Sequence, residues 1–263
     1  MAEHTSVLIT GASTGIGAIY ADRFAQRGHD LVLVARDVTR LDALAQKLQA
    51  QYGVRAEVLA ADLTDPLSVD TVASRLREDT RIGVLVNNAG ISLAGTFLTQ
   101  TSADINRLTA VNLTAALTLA HAAAVRFAAE GKGSIVNLAS VVGLAPELGM
   151  AVYGASKAFI LYLSQGISLE LTPKGVYVQA VLPAATRTEI WERSGVDVNT
   201  LSGVMDAGEM VDAALVGYDR REAVTIPPLH DEHHWDNYQQ ARQAMLPEFR
   251  QEHPAPRYLG KGE

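Results

Sequence analysis

The sequence predicts an α/β protein with a doubly wound parallel sheet of about seven strands, helices on both faces, and a single domain over residues 1–263. Three observations predict this fold. Short apolar runs alternate with longer segments of helical period, the runs lack polar–apolar alternation, and neither a linker nor an internal repeat divides the chain. Strands without such alternation are typical of parallel sheets that are covered on both faces. The repeated order of strand, helix and strand specifies right-handed crossovers.

The predicted elements follow one another along the whole chain. The strands are the apolar runs at 7–10, 30–35, 56–60, 84–89, 134–140, 176–182 and 223–226. Apolar side chains recur at helical spacing from Leu41 to Tyr52 and from Phe159 to Leu171. Two segments interrupt the pattern. Residues 187–210 are predicted to form a lid over a substrate site, and residues 247–263 a mobile C-terminal tail.

The composition favours a compact globular protein and excludes several kinds of site. Hydrophobic residues make up 48% and charged residues 19%, and the formal net charge of -7 provides no basic field for nucleic acid. The absence of cysteine excludes disulfides, thiolate nucleophiles and cysteine-ligated zinc. Because we find neither a secretory signal nor an unbroken apolar run of about 18 residues, we expect a soluble cytoplasmic protein without membrane partners.

A glycine-rich turn follows the first predicted strand and leads into a helix, with the sequence TGASTGIG at 10–17. Glycines at 11, 15 and 17 allow a tight turn and a close approach of the backbone to a pyrophosphate. The helix N-terminus offers unpaired N–H groups to the same anion. Such a turn alone is weak evidence, because glycine also ends strands for steric reasons. Its place between a strand and a helix near the N-terminus favours a dinucleotide site.

The end of the second strand predicts which dinucleotide is bound. A carboxylate there would hold the adenosine ribose hydroxyls and repel a 2′-phosphate, but the sequence is Ala35-Arg36-Asp37. Arg36 is able to form a forked ion pair with the phosphate, so NADP(H) is predicted in preference to NAD(H). An ordinary solvated arginine is the alternative. Thr14 adds no second positive charge, so the preference depends on Arg36.

Four polar residues form the candidate catalytic set. Tyr153 and Lys157 share one helix face, and the ammonium is expected to bring the tyrosine pKa down from about 10 towards neutral pH. Ser140 ends a strand, where its hydroxyl would bind a substrate oxygen. Asn112 lies in an apolar helix, where a water leading to Lys157 would satisfy its amide. Each residue has an ordinary structural alternative, but these alternatives do not explain their joint order along the chain.

Nearly the whole chain, from Val7 to about Ile226, resembles the short-chain dehydrogenase/reductase family. The resemblance is carried by TGASTGIG, Asp62-Leu63, Asn87-Asn88-Ala89-Gly90, Asn112, Ser140, the YxxxK pair Tyr153 and Lys157, and Pro183 with Thr188. It implies a Rossmann-type domain of the NADP-preferring branch. In that family's mechanism Tyr153 would exchange the proton, Ser140 would orient the carbonyl, and Lys157 would also bind the nicotinamide ribose. Asn112 would hold a relay water.

The resemblance also implies a cofactor site. Asp62 and Leu63 would hold the adenine, and Thr188 would touch the carboxamide or the pyrophosphate. The full set of expected cofactor contacts is Gly11, Ser13, Thr14, Gly15, Ile16, Gly17, Arg36, Asp62, Leu63, Asn88, Ala89, Gly90, Tyr153, Lys157, Pro183, Thr186 and Thr188. The chain departs from the family at Pro183-Ala184, where Pro-Gly is usual. The added methyl group near the nicotinamide would alter cofactor fit or narrow the substrate pocket.

The predicted function is NADP(H)-dependent interconversion of a ketone or aldehyde and an alcohol, with Tyr153 as acid/base. The substrate pocket is expected between the cofactor and residues 187–210. Its expected lining is Ser140, Val142, Leu144, Met150, Tyr153, Ile190, Trp191 and Met205, whose largely apolar character predicts a hydrophobic carbonyl substrate. Two alternatives stay open: an NADP(H)-binding redox-sensing regulator without turnover, and an NAD-dependent alcohol dehydrogenase.

Other patterns are weighed and set aside. The run of histidines and acids at 230–234 lacks HExxH order, so no metal is expected, and no G-x-S-x-G elbow supports a serine hydrolase. Alanine-rich helices at 115–130 and 151–172 carry small or apolar residues on more than one face. Together with the family resemblance, they predict a homodimer or homotetramer.

Overall fold

The computed structural model describes residues 5–259, which divide into two compact units. The first unit ends at Pro227 and the second begins at Pro228. The second unit contains a helix at His233–Ala244 and 3₁₀ turns at Leu246–Arg250 and Pro256–Tyr258. The predicted tail, 247–263, begins inside the first of these turns, and its last residues, 260–263, lie outside the described residues. The inclusion of the second unit in the same domain stays a prediction.

One parallel sheet forms the centre of the first unit. Its strands are β1 (Ser6–Thr10), β2 (Leu31–Ala35), β3 (Ala56–Ala60), β4 (Ile82–Asn87), β5 (Gly133–Leu138), β6 (Val176–Val181) and β7 (Val224–Thr225). They lie in the order β3-β2-β1-β4-β5-β6-β7, and every neighbouring pair is parallel. Each predicted run overlaps one of these strands, so the predicted fold class is confirmed.

Helices fill the connections between the strands. They are α1 (Gly15–Gln26), α2 (Val38–Tyr52), α3 (Pro66–Glu78), α4 (Ser102–Thr109), α5 (Ala116–Glu130), α6 (Ala151–Leu171), α7 (Ile190–Arg193) and α8 (Ala207–Asp219), and the helix of the second unit is α9. Aspartates begin three of them. Asp37, Asp65 and Asp206 precede α2, α3 and α8, and each accepts a backbone N–H from the first turn. This capping fixes where each helix begins.

The helices cover both faces of the sheet, each over its own apolar core. One core includes Phe24 of α1 and residues of α2 and α8. The other, on the opposite face, includes Phe127 of α5 and residues of α3. Consecutive strand residues point to opposite cores, so Leu8 belongs to the second and Ile9 to the first. This double burial explains why the strand sequences lack polar–apolar alternation.

The strand order reverses at β1, which pairs with both β2 and β4. Connections from the two sides of such a point run to opposite faces of the sheet. They leave a crevice at the carboxyl ends of the strands, where ligands of doubly wound proteins bind. In this chain the crevice opens beyond Thr10 and Asn87, the last residues of β1 and β4.

The helical stretch Ser102–Glu130 is long and apolar enough, by length and composition, to cross a membrane. It comprises α4, a π-helical turn at Ala110–Ala115, and α5. Of its most apolar window, 56% is buried inside the protein, where α5 packs on α3 and on strands β4 and β5. These contacts account for the apolar composition, because this helix covers one face of the sheet.

Candidate active site

Glycines shape the turn after β1 so tightly that side chains would not fit. Gly11 has a φ of 67°, and a Cβ at Gly17 would lie 2.3 Å from the carbonyl oxygen of Gly11. The N-cap residue of α1, Thr14, makes no side-chain hydrogen bond to the helix. The first N–H groups of α1 thus donate no hydrogen bond to the N-cap side chain, and the helix dipole favours an anion beside them. This cradle fits a pyrophosphate.

Side-chain hydrogen bonds tie the ends of β1 and β4 together beneath the crevice. The Thr10 hydroxyl accepts the backbone N–H of Asn88 at 3.0 Å and that of Ala89 at 2.9 Å. The Asn88 amide donates in return to the Thr10 carbonyl oxygen at 2.8 Å. Asn88 therefore holds the floor of the predicted cofactor site. The sequence analysis did not predict that the Thr10 side chain joins the ends of β1 and β4.

Arg36 and Asp62 lie just beyond the ends of neighbouring strands, β2 and β3. One oxygen of Asp62 accepts the backbone N–H of Thr64 at 2.9 Å and its hydroxyl at 2.8 Å. These bonds, together with the charge of Arg36, lower the pKa of Asp62, so this carboxylate is ionised. Arg36 is exposed, whereas Leu63 is buried in the core. The edge thus offers a carboxylate hydrogen-bond acceptor, Asp62, to the adenosine and a cation, Arg36, to its phosphate.

Two glycines allow the candidate catalytic side chains to meet. The 3₁₀ turn Val141–Gly143 follows β5, and Ser140 is its N-cap. A Cβ at Gly143 would lie 2.8 Å from the carbonyl carbon of Lys157. One at Gly154 would lie 2.9 Å from a carbonyl oxygen of the turn. The turn is therefore packed directly on the backbone of α6, and Ser140 is held beside the helix that carries Tyr153.

Lys157 is buried between the ends of two strands and the tyrosine ring. Its Nζ donates to the Leu138 carbonyl oxygen at 2.8 Å and lies 5.5 Å from the centre of the Tyr153 ring. A Cβ at Gly90 would lie 3.5 Å from the same nitrogen. The ammonium is therefore within reach of whatever occupies the crevice beyond β4. The Ser140 hydroxyl, also buried, donates to the Pro183 carbonyl oxygen at 3.1 Å.

The pKa of the tyrosine moves in the direction opposite to the one expected from the sequence. Burial raises the pKa of Tyr153 to about 12 and lowers that of Lys157 to about 8. The expectation of a lowered tyrosine pKa was wrong, because burial disfavours the charged form of both groups. At neutral pH the pair therefore consists of a neutral phenol and an ammonium.

Asn112 lies in the π-helical turn and holds the loop after β4 against α6. Its Oδ1 accepts the N–H of Ile91 at 2.8 Å, and its Nδ2 donates to the Ile91 carbonyl oxygen at 2.9 Å and to the Ser156 hydroxyl at 3.2 Å. Ser156 donates to the Tyr153 carbonyl oxygen at 2.6 Å. The amide is therefore satisfied by protein groups, and the interpretation that it needs a water was wrong. Asn112 thus links the loop after β4 to the part of α6 that carries Tyr153, and its part in a water relay stays a prediction.

The segment after β6 lies against the glycine-rich turn. A Cβ at Gly15 would be 3.1 Å from the Thr188 methyl carbon. Thr186 is buried, and its hydroxyl donates to the Ala184 carbonyl oxygen at 3.0 Å. Backbone hydrogen bonds to Met205 on both sides of Thr186 fix the segment. Thr188 is thus close to the proposed pyrophosphate site, and its contact with the cofactor stays a prediction.

The predicted substrate-lining residues fall into two groups. Val142, Leu144 and Met150 are partly buried on the connection between Ser140 and Tyr153. Ile190 and Trp191 belong to α7, and the Trp191 indole donates to the Thr186 carbonyl oxygen at 2.7 Å. Met205 packs on the apolar core that includes α1. Its place in a substrate pocket stays a prediction, as do those of the other residues.

Trp191 also lines an open pocket of about 650 Å³ with Thr188, Val196 and Val198, among others. None of Ser140, Tyr153 and Lys157 lines it. Sequence reasoning grouped Trp191 with these side chains in one substrate pocket, which stays a prediction. It missed the packing glycines, although their positions, three residues after Ser140 and next to Tyr153, were a usable signal.

Comparison with known proteins agrees with this geometry. A family profile described as short chain dehydrogenase matches residues 5–199. The chain is similar to a short-chain dehydrogenase from Sphingobium yanoikuyae, solved in complex with NADPH, at 61% identity over 97% of this chain and 99% of that one, with a TM-score of 0.95. It is also similar to a bulky-bulky ketone specific alcohol dehydrogenase from Comamonas testosteroni, at 58% identity over 97% and 98% of the two chains, with a TM-score of 0.91.

A relative of greater length also matches. A very-long-chain 3-oxoacyl-CoA reductase of Anas platyrhynchos is 34% identical over 188 residues, which are 70% of this chain. The match spans 60% of that reductase's own length. The similarity therefore covers the dehydrogenase core and less than two thirds of the longer protein.

Proposed function

The chain belongs to the short-chain dehydrogenase family of oxidoreductases, and from that premise we propose that it is an NADP(H)-dependent carbonyl reductase, reversible as an alcohol dehydrogenase. One observation carries the proposal. The turn that begins at Ser140 packs on the backbone of α6, where Lys157 lies beside the Tyr153 ring, and the glycine-rich turn that fits a pyrophosphate lies at the same edge of the sheet. A regulator without turnover would need the turn but not the packed catalytic set, so this geometry favours an enzyme.

The residues at the crevice fit a phosphorylated dinucleotide. The α1 N-terminus would hold the pyrophosphate, Arg36 the 2′-phosphate, and Lys157 a ribose hydroxyl near the reacting end. Similarity to a protein solved with NADPH supports the same cofactor. When bound, NADPH supplies the hydride that reduces the substrate carbon.

The protein's own residues then handle the proton. Tyr153 is neutral at pH 7 because its pKa is about 12, and a neutral phenol is the form that donates a proton to a carbonyl oxygen. The Ser140 hydroxyl, which donates to Pro183 in the structure, would turn to donate to the same substrate oxygen. Lys157, an ammonium below pH about 8, would stabilise the phenolate that remains. Alcohol oxidation needs the phenolate and is therefore favoured by higher pH.

The proposed substrate is a hydrophobic ketone with a bulky group on each side of the carbonyl. Apolar side chains are exposed on both loops that leave the site. Phe97 and Leu98 lie on the loop after β4, and Leu148 lies on the connection between Ser140 and Tyr153. The similarity to a bulky-bulky ketone specific enzyme supports the same class. Alcohol oxidation with NAD is the alternative direction and cofactor.

We further propose a cytoplasmic homodimer or homotetramer. Leu117 and Val125 of α5 and Tyr162 and Leu169 of α6 are exposed, although α5 and α6 are otherwise core helices. Exposed apolar side chains grouped on neighbouring helices are typical of subunit interfaces. Measurement of the molar mass in solution would test the assembly.

Turnover of NADPH and NADH, followed by absorbance with bulky aryl and alkyl ketones, tests the function. Tyr153→Phe removes the proton donor and is expected to lower kcat by about a hundredfold or more, while NADPH binding is retained. Tyr20→Phe is the matched control, since the Tyr20 hydroxyl is buried in the α1 core without a partner in the described part of the chain. Near-normal turnover by Tyr153→Phe would contradict the mechanism. Tight NADPH binding without turnover across the panel would favour the regulator.

A further inference from the structure

An ion pair links the two walls of the proposed cofactor cleft. Arg40 lies in the first turn of α2, and its Nη1 donates to both carboxylate oxygens of Glu189, at 2.9 and 2.8 Å. The two residues are 149 positions apart in the sequence. The contact therefore joins the adenosine side of the cleft to the segment after β6.

The position of Glu189 makes this link significant for the cofactor. Glu189 directly follows Thr188, whose methyl group lies against Gly15 at the start of α1. The N–H groups of that helix terminus are the proposed pyrophosphate site. The chain from Thr188 to Glu189 and the ion pair with Arg40 thus connect the pyrophosphate end of the proposed cleft to its adenosine end.

Arg40 and Glu189 belong to different kinds of element. The backbone N–H of Arg40 donates to Asp37 at 3.0 Å, and its guanidinium lies 3.4 Å from the same carboxylate. Glu189 precedes the short helix α7 in the connection between β6 and α8, which backbone hydrogen bonds to Met205 fix around Thr186. Separation of the two exposed side chains is therefore enough to break the link.

We propose that Arg40 and Glu189 form a clasp that opens to admit and release NADP(H). The proposal rests on the proposed function, since it requires the cofactor to bind in this cleft. The two side chains are 48% and 41% exposed, so salt screens their attraction. An exposed pair of this kind supports a change of about two- to fivefold in the rate of cofactor exchange.

Stopped-flow measurement of NADPH and NADH dissociation tests the clasp. Arg40→Gln and Glu189→Gln are each expected to speed the release of both cofactors by about two- to fivefold. The double variant Arg40→Gln with Glu189→Gln is expected to release both cofactors no faster than either single variant, because each substitution removes the same ion pair. Added salt, up to about 0.3 M, should speed release from the wild type and have less effect on the single variants.

Arg27→Gln is the matched control. It breaks a pair with Asp219 of similar exposure, at the opposite end of α1 from the glycine-rich turn, and is expected to leave release unchanged. Unchanged release in both single variants, or additive effects in the double variant, would overturn the clasp. Weaker binding of NADPH but not NADH by Arg40→Gln would make Arg40 a phosphate ligand and would also overturn it. A wild type that binds neither cofactor would overturn the proposed function together with the clasp.

Discussion

Two buried cations of this protein differ in how many hydrogen-bond and ion-pair partners surround them. Arg126 of α5 donates through Nε to the Leu76 carbonyl oxygen at 2.6 Å, through Nη2 to the Ile82 carbonyl oxygen, and through Nη1 to Glu130 at 2.8 Å. Lys157 of α6 donates from Nζ to one carbonyl oxygen of the described chain, and within residues 5–259 it forms no ion pair with a carboxylate. Burial lowers the pKa of Lys157 to about 8.

The difference separates a structural region from the region that we propose to be catalytic. Arg126 satisfies the carbonyl groups where α3 ends and β4 begins, and a carboxylate offsets its charge. Because these partners satisfy the guanidinium, its charge has a structural role. Lys157 keeps an ammonium that residues 5–259 leave without a counter-charge, next to the tyrosine whose phenolate it would stabilise. We propose that its charge is retained for chemistry and costs stability.

The largest expected effect is a loss of activity on substitution of Lys157. Lys157→Met is expected to lower kcat for ketone reduction by about a thousandfold, because the phenolate of Tyr153 then loses its cationic partner. The measurement is steady-state NADPH oxidation, with circular dichroism to verify folding. A variant that keeps a tenth of the wild-type kcat would place Lys157 outside the chemistry.

The next effect distinguishes them by stability. Arg126→Met leaves the Leu76 and Ile82 carbonyl oxygens and the Glu130 carboxylate without their donor, so we expect a loss of about 3 kcal/mol in the free energy of unfolding. Urea titration measures it. Arg126→Lys is the control, since it keeps the charge and should lose less. The kcat of the folded Arg126→Met variant should stay near the wild-type value. A large fall in kcat of the fully folded variant would contradict the distinction between the two regions.

The fold and the principal candidate side chains are predictable because their signals are local. Strands such as β1 are apolar on both faces, and this pattern can be recognised from consecutive residues of the sequence. Tyr153 and Lys157 lie four positions apart on one helix, so their common face follows from helical geometry alone. The glycine-rich turn is likewise recognisable between one strand and the next helix.

Features that depend on long-range packing were missed. Arg126 lies in an alanine-rich helix, and only the fold shows that two distant carbonyl groups bury it. The partner of Asn112 is Ile91, which the sequence pattern does not indicate. The pKa of Tyr153 was expected to fall because the lysine is near, but burial of both groups, which no local pattern encodes, raises it.

The central claim is that Lys157 keeps its charge for chemistry at a cost in stability, and the pH dependence of unfolding tests it most directly. The pKa of Lys157 is lowered in the native state from 10.5 to about 8. Protonation therefore opposes folding, and the cost is fully present below pH 8 and disappears as the pH rises towards 10.5. Lys157→Met should be more stable than wild type at pH 7 by about 1–3 kcal/mol, with the advantage shrinking towards pH 10. A wild type more stable than the variant at pH 7 would contradict the account.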